Sequence, residues 1–168
     1  ASGSATLSFT SGIDDTYDKY VFKFYNMHPA TDSVPLKFNM STDSGSNYNV
    51  TKTTTFFRAY HNESDSAAAL GYDTGADLAQ STSFQELSAY IGNGADENCS
   101  GTLTLFSPSS TTFVKHFMSV TNGVEDRDYS WNSYIAGYGN TTSAVDAIRF
   151  QFSSGNIDSG VIKLYGIS

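Results

Sequence analysis

The chain has one cysteine, Cys99, and only three prolines in 168 residues. A lone cysteine cannot form a disulfide within the chain, whereas small secreted domains usually contain several such bridges. We therefore expect a protein that assembles in a reducing cytosol. At this length the chain is expected to form one domain, residues 1–168, around one hydrophobic core.

Charge is also scarce, and positive charge most of all. Lys and Arg number 9 against 17 Asp and Glu, which gives a net charge of -8 and a sequence pI near 4.5. An acidic surface repels phosphate backbones and anionic lipids, and no apolar run approaches the roughly 18 residues of a membrane span. The composition therefore predicts neither a nucleic-acid nor a membrane partner.

Helical periodicity is nearly absent. The alanine-rich residues 64–80 are the exception, but Gly71 and Gly75 interrupt them, and glycine is unfavourable inside a helix. We expect this segment to be a long loop with at most one helical turn.

A period of two dominates the rest of the chain, as in half-buried β-strands. Clusters of Gly, Pro, Asn and Asp separate the alternating runs and favour tight turns. About ten such strands, without a repeat of fixed period, predict an all-β antiparallel sandwich or barrel. The predicted strands are residues 6–10, 19–25, 36–40, 53–61, 86–91, 102–106, 112–121, 131–138, 147–152 and 161–167.

The last two strands are separated by residues 153–160, which contain two glycines. This spacing favours a hairpin. We expect the final strand to be paired inside a sheet, where it would not fray.

Motifs for catalysis are missing. His28, His61 and His116 lack metal-ligand spacing, and neither a G-x-S-x-G nor a G-x-x-x-x-G-K-[ST] motif occurs. Of four glutamates only Glu86 lies near a predicted strand, which disfavours the paired acids of a glycosidase. We therefore predict no enzymatic activity, no catalytic residues and no cofactor.

Acidic residues cluster in three predicted loops and leave one alternative open. Loop carboxylates can bind calcium, but these runs lack the ordered spacing of a dedicated calcium loop, so solvated loop charge is the simpler interpretation and no metal site is predicted. The clusters are Asp14, Asp15 and Asp18, then Asp96 and Glu97, then Glu125, Asp126 and Asp128.

Aromatic residues exceed what one inner face of each strand needs, with 12 Phe and 11 Tyr. Tyr and Trp are enriched at protein interfaces and also stack on sugars, although ordinary core filling would account for many of them. The predicted interface residues are Phe56, Arg58, Tyr60, Trp131, Tyr134 and Tyr138.

Three stretches resemble a known family. They are ATLSFTSGIDDTYDKYVFKFYNMHPATDSVPLKFNMSTDSGSNY at residues 5–48, KTTTFFRAYHNE at 52–63, and AIRFQFSSGNIDSGVIKLYGIS at 147–168. They look like the virion structural proteins of marine tailed bacteriophages, and the resemblance covers nearly the whole chain. Its most diagnostic part is the terminal SGNIDSGVIKLYGI.

The resemblance implies a jelly-roll-like β-sandwich without enzymatic activity, assembled in the host bacterial cytoplasm and located in the virion. The implied role is a capsid decoration or cement protein that bridges neighbouring subunits of the major capsid protein. It implies a homo-oligomer, with a trimer favoured. The alternative is a tail fibre or spike module that binds a host receptor or surface glycan.

Overall fold

Alternating side chains form eleven β-strands in this computed structural model, which describes residues 2–168. The described residues contain no helix. The strands are β1 (Leu7–Phe9), β2 (Lys19–Pro29), β3 (Leu36–Ser41), β4 (Lys52–Asn62), β5 (Ala68–Tyr72), β6 (Gln85–Glu86), β7 (Cys99–Phe106), β8 (Lys115–Glu125), β9 (Tyr129–Gly139), β10 (Ala147–Phe152) and β11 (Ile157–Ile167).

The strands form two antiparallel sheets that pack face to face. The smaller has the order β1-β10-β3-β6 and the larger β11-β2-β7-β8-β9-β4-β5. The three strands β7, β8 and β9 together occupy the position of one strand of an eight-stranded jelly roll, and β11 is an additional edge strand. With these two differences, both sheets have the jelly-roll strand order. The prediction of an all-β sandwich is confirmed, with eleven strands instead of about ten.

Aromatic side chains fill the space between the sheets. Phe150 on β10 is fully buried. Its ring lies 5.5 Å from that of Phe22, 6.2 Å from Phe9, 6.4 Å from Phe38 and 6.5 Å from Phe24. Tilted and edge-on ring contacts at these distances add to the free energy gained by removing the rings from water. This cluster joins β10, β1 and β3 of the smaller sheet to β2 of the larger one.

The expectation of a loop with a helical turn at residues 64–80 is wrong, because this segment contains β5. Ala69 of β5 lies opposite Tyr60 of β4, and Phe57 lies opposite Tyr72. All five residues of β5 are exposed, because the strand is the outer edge of the larger sheet. A strand that buries neither face shows no alternation in its sequence, which explains why the pattern missed it.

The predicted hairpin at the end of the chain is also wrong. Strand β10 lies between β1 and β3, whereas β11 is an edge strand of the other sheet and has β2 as its neighbouring strand. The connection between them therefore crosses from one layer to the other. Ile157 begins β11 with a fully buried side chain, and its N–H donates to the carbonyl of Ser4 at 2.8 Å.

The strand predicted at residues 86–91 is much shorter in the structure. Only β6, Gln85–Glu86, belongs to a sheet. Leu87 and Ile91 are fully buried, and the backbones of Ile91 and Val34 exchange two hydrogen bonds of 3.1 Å. The apolar residues therefore pack over the rim of the core without a continuous ladder.

A buried lysine links the two layers. The ammonium of Lys52 on β4 donates to Asn39 Oδ1 on β3 at 2.6 Å and to the carbonyl of Val50 at 2.8 Å. The amide nitrogen of Asn39 donates in turn to the carbonyls of Tyr48 and Thr82. Burial lowers the pKa of Lys52 to about 7, because a charged group is disfavoured in a low-dielectric interior.

We expect Phe150→Ala to lower the free energy of unfolding by about 3 to 5 kcal/mol, because it leaves a cavity among four aromatic rings. The measurement is urea denaturation. Phe113→Ala is the matched control, since this ring is 72% exposed and its loss should change stability by less than about 0.5 kcal/mol. Equal effects of the two substitutions would contradict this description of the core.

We expect the stability of the protein to rise with pH through Lys52. The pKa of this lysine is about 7 in the folded protein and has its ordinary value of 10.5 in the unfolded chain. Between these values the unfolded chain holds a proton that the folded chain has released. Within this window the wild type should gain up to about 1.4 kcal/mol per pH unit relative to Lys52→Met.

The measurement is urea denaturation at several pH values from 7 to 10.5. Lys19→Met is the control, because Lys19 is not buried and lies opposite the uncharged Ile167, so its loss should leave the pH dependence of the wild type unchanged. Parallel curves for the wild type and Lys52→Met would show that burial does not shift the pKa of this lysine.

Candidate interaction surface

The outer side of the larger sheet exposes apolar side chains. Strand β8 alternates strictly, with Phe117 and Ser119 buried against the core and Met118 and Val120 pointing outward. Met118 is 57% exposed and Val120 44% exposed, so no other segment of residues 2–168 covers them. We call the outward-facing side chains of the seven-stranded sheet the open face.

Strand register places aromatic residues beside this apolar pair. Val120 on β8 lies opposite Tyr134 on β9, which lies opposite Phe57 on β4, which lies opposite Tyr72 on β5. The rings of Phe57 and Tyr134 stack, with centroids 4.9 Å apart and planes 7° apart. This row is therefore a continuous apolar strip across four strands.

A groove lies next to this strip. Met118 is opposite Ala136, whose small side chain lies opposite Thr55. The shallow space above them has a volume of about 470 Å³. Its walls include Thr53, Thr55, Phe106, His116, Met118 and Tyr138. The groove is wide enough to receive one or two protruding side chains from another molecule.

The open face is also free of formal charge over its centre. On β8, β9 and β4 the outward positions of these described strands hold neither Asp, Glu, Lys nor Arg. Exposed protein surfaces normally carry such residues, whereas the centres of protein interfaces are depleted of them and enriched in Tyr, Phe and Met. The composition of the open face is that of an interface.

The six residues predicted at an interface divide between the two sides of the sheet. Phe56 is 2% exposed and packs in the core, so it is a core residue rather than a contact residue. Tyr134 and Tyr138 belong to the open face. The stacking of Tyr134 on Phe57 and the contact of Tyr138 with His116, at 6.2 Å between ring centroids, place both at the groove and strip.

The other three predicted residues form a stack on the inner side of the sheet. The indole of Trp131 lies 5.0 Å from the ring of Tyr60 with planes 16° apart. The guanidinium of Arg58 lies 4.7 Å from the indole centroid and is also ion-paired with Asp73. Trp131 is only 8% exposed. This stack therefore stabilises the β4-β9 end of the sandwich and cannot contact the same partner surface as Tyr134.

Sequence reasoning missed Phe57, Met118 and Val120. The alternation of Phe56 with Phe57 and of Phe117 with Met118 is plain in the sequence. Both faces of each strand hold large apolar residues, so hydrophobicity did not indicate which face points inward. On β4 and β8 only the outward face lacks formal charge, and this difference is the signal that marks the open face, whereas β9 has no formal charge on either face.

The acidic loops do not assemble into a metal centre. Within residues 2–168 no group of three or more His, Cys, Asp or Glu side chains is placed to hold a metal ion. Glu125 at the end of β8 is instead ion-paired with Arg127. Asp43 accepts hydrogen bonds from Ser41 and Asn47, which lower its pKa to about 2.

The geometry thus defines an all-β jelly-roll sandwich with one uncovered apolar sheet face. No helix among the described residues is long and apolar enough to cross a membrane. No protein-family model matches the chain, and no curated protein matches it. The open face is therefore the basis on which a function can be inferred.

We expect the Phe57 and Tyr134 rings to stabilise each other. A double-mutant cycle with Phe57→Ala and Tyr134→Ala should give a coupling free energy of about 0.5 to 1 kcal/mol, as measured by urea denaturation. Phe57→Ala combined with Tyr138→Ala is the control. Tyr138 lies opposite Thr53, away from Phe57 along the sheet, so these effects should add. Additivity in both cycles would contradict the stacked geometry.

Proposed function

We propose that this protein is a non-enzymatic virion structural protein of a tailed bacteriophage. It acts as a capsid decoration or cement protein that bridges neighbouring subunits of the shell. The observation that carries this proposal is the open face, an apolar and uncharged sheet surface that remains exposed in the folded chain. The resemblance of residues 5–48, 52–63 and 147–168 to virion proteins supports the assignment to a phage particle.

The composition of the open face fits contact with a protein partner better than contact with water. Exposed apolar patches of this kind are uncommon on monomers and often mark interaction sites. A stable interface buries about 800 Å² on each partner, and a face that spans β8, β9, β4 and β5 offers a surface of this order. Met118 and the Phe57-Tyr134 stack would form its apolar centre, with the groove as a pocket for a partner side chain.

Bridging stabilises the particle by mass action. A protein that binds only the assembled shell shifts the equilibrium away from dissociated subunits. The jelly roll suits this role because its side-chain packing and sheet hydrogen bonds keep the open face rigid, so little conformational entropy is lost on binding. A cyclic homo-oligomer, with a trimer favoured, would present several open faces to neighbouring shell subunits at once.

A structural role also agrees with the surroundings of the reactive side chains. Burial raises the pKa of Cys99 to about 12, so its thiol is not an available nucleophile. His61 Nε2 lies within hydrogen-bonding distance of Asp65 Oδ1, at 3.0 Å, in an exposed position, and Glu86 is ion-paired with Lys37. These side chains are therefore buried or engaged in local contacts within the folded chain.

The groove supports a second candidate, a tail fibre or spike module that binds a host receptor or surface glycan. The rings of Tyr138 and His116 flank the groove, and the Thr53 hydroxyl lies beside them. Aromatic rings next to hydroxyl groups can bind sugars by stacking and hydrogen bonding. The aliphatic Met118 and Val120 at its border favour a protein partner over a sugar.

The test uses phage particles that lack this protein, to which purified protein is added. We expect wild-type protein to restore heat and osmotic resistance. Met118→Asp should bind at least about tenfold more weakly and restore little, because it buries an unpaired charge in the interface. Ser153→Asp is the matched control. It adds the same charge at an exposed position after β10 of the other sheet and should restore resistance fully.

Equal resistance of particles with and without the protein would remove the cement role. Restoration by Met118→Asp would show that the open face is not the contact surface. A copy number of a few dozen or fewer per particle, together with saturable binding on a glycan array, would favour the tail module.

A further inference from the structure

The positive charges of this chain are distributed unevenly. Six of the nine cationic side chains form an ion pair or a hydrogen bond within the protein. These are Lys37, Lys52, Lys115, Arg58, Arg127 and Arg149. Arg149 donates to the hydroxyl of Ser8, and the other five contact carboxylates or carbonyl groups. The ammonium groups of Lys19, Lys23 and Lys163 have neither an ion pair nor a hydrogen bond among residues 2–168.

All three free lysines lie at one place on the open face. Lys23 on β2 is directly opposite Lys163 on β11, and Lys19 is opposite Ile167 at the end of the same strand pair. Phe22 and Phe24 are buried in the core, so the lysines between and before them point outward. We call Lys19, Lys23 and Lys163 the basic patch.

The basic patch does not help the isolated chain to fold. Side chains directly opposite each other on neighbouring strands have Cβ atoms about 5 Å apart, and like charges in such a pair are destabilising. Lys23 Nζ lies 5.4 Å from the Tyr165 ring centroid and Lys163 Nζ 5.8 Å from that of Tyr25. At exposed sites such contacts are similar in size to the repulsion, so the patch contributes little net stability. The chain has 17 acidic residues, yet none within residues 2–168 pairs with this patch.

We propose that the basic patch binds a carboxylate-rich segment of the protein partner that covers the open face. One Asp or Glu side chain inserted between Lys23 and Lys163 would turn a repulsive pair into two attractive contacts. This inference rests on the proposed function, because it assumes that the partner is a protein. It adds the chemical character of that partner, an acidic segment next to an apolar surface.

The neighbours of the patch favour an acidic peptide over an acidic sugar. Exposed Val161 and Ile167 lie beside the lysines on β11. Exposed Tyr25 and Tyr165 complete the surface, whereas Val21 is buried between the two lysines of β2. On the described strands β2 and β11, the outward positions next to the lysines hold only valine, isoleucine and tyrosine. The two tyrosine hydroxyls are therefore the only uncharged hydrogen-bonding groups that these positions offer a sugar. Aliphatic and aromatic neighbours suit the apolar residues that flank Asp or Glu in a peptide.

The patch is close enough to the apolar strip for one partner to cover both. Lys23 is opposite Thr102 on β7, and Thr102 is opposite Val120 on β8. Neighbouring strands are about 4.8 Å apart, so Lys23 and Val120 are separated by about 10 Å along one row. A partner seated on Val120 and Met118 therefore reaches the lysines with an adjacent segment.

The proposal can be tested without the phage particle. The probe is a ten-residue oligoglutamate peptide, with binding measured by isothermal titration calorimetry at low and at physiological salt. We expect wild-type protein to bind it more weakly as salt is added. The double variant Lys23→Gln, Lys163→Gln should bind at least about tenfold more weakly than wild type, because it removes both ammonium groups of the pair.

The matched control is Lys37→Gln, Arg149→Gln. It makes the same change in net charge on β3 and β10 of the smaller sheet and should bind the peptide like the wild type. The double variant of the patch should unfold at a urea concentration close to that of the wild type, because it removes both the repulsion and the two cation–π contacts, which are of similar size. Weaker binding would then not be a consequence of unfolding.

Several results would overturn the proposal. These are no binding of oligoglutamate by the wild type, equal losses in both double variants, or tighter binding of an oligogalacturonate of the same charge. The particle assay separates this failure from that of the proposed function. If the patch variant restores particle resistance while Met118→Asp does not, the open face remains the contact surface and only the basic patch is excluded. If Met118→Asp also restores resistance, the proposed function itself fails.

Discussion

Face-to-face packing of two unequal sheets is the constraint on which the rest of this structure depends. The larger sheet has seven strands and the smaller four, and the Phe150 cluster holds them together. A sandwich has only two layers, so each sheet has one side without a packing partner. The outer side of the larger sheet nevertheless carries apolar residues such as Met118 and Val120. The fold thus produces an apolar surface that it does not itself cover.

The charged side chains are also divided between the interior of the protein and the border of the open face. Lys52 and Lys115 are buried and donate hydrogen bonds to oxygen atoms inside the protein, whereas the centre of the open face has no formal charge. The free positive charge gathers at Lys23 and Lys163, on β2 and the edge strand β11 of that face. A neutral centre with charges at its border resembles the core and rim of a protein interface. This arrangement connects the proposed function with the further inference about an acidic partner.

Much of the fold could be predicted from alternation alone. The period of two located the long strands, including β4 and β9, to within a few residues. It failed for β5, where Ala68–Tyr72 is exposed on both faces, and at residues 87–91, which bury Leu87 and Ile91 without a ladder. It also failed to assign β10 and β11 to different sheets, because pairing between strands distant in sequence leaves no local pattern. The candidate site was found only in part, through Tyr134 and Tyr138.

By itself, the sequence determined that side chains alternate between two faces and that an all-β sandwich would bury one of them. Only the tertiary structure decided which face is buried, so that Phe56 lies in the core and its neighbour Phe57 on the open face. It also brought Lys23 opposite Lys163 across 140 residues of chain. The physical reason is that alternation is a local property of each strand. Burial and charge proximity depend instead on the strands that pack and pair with it.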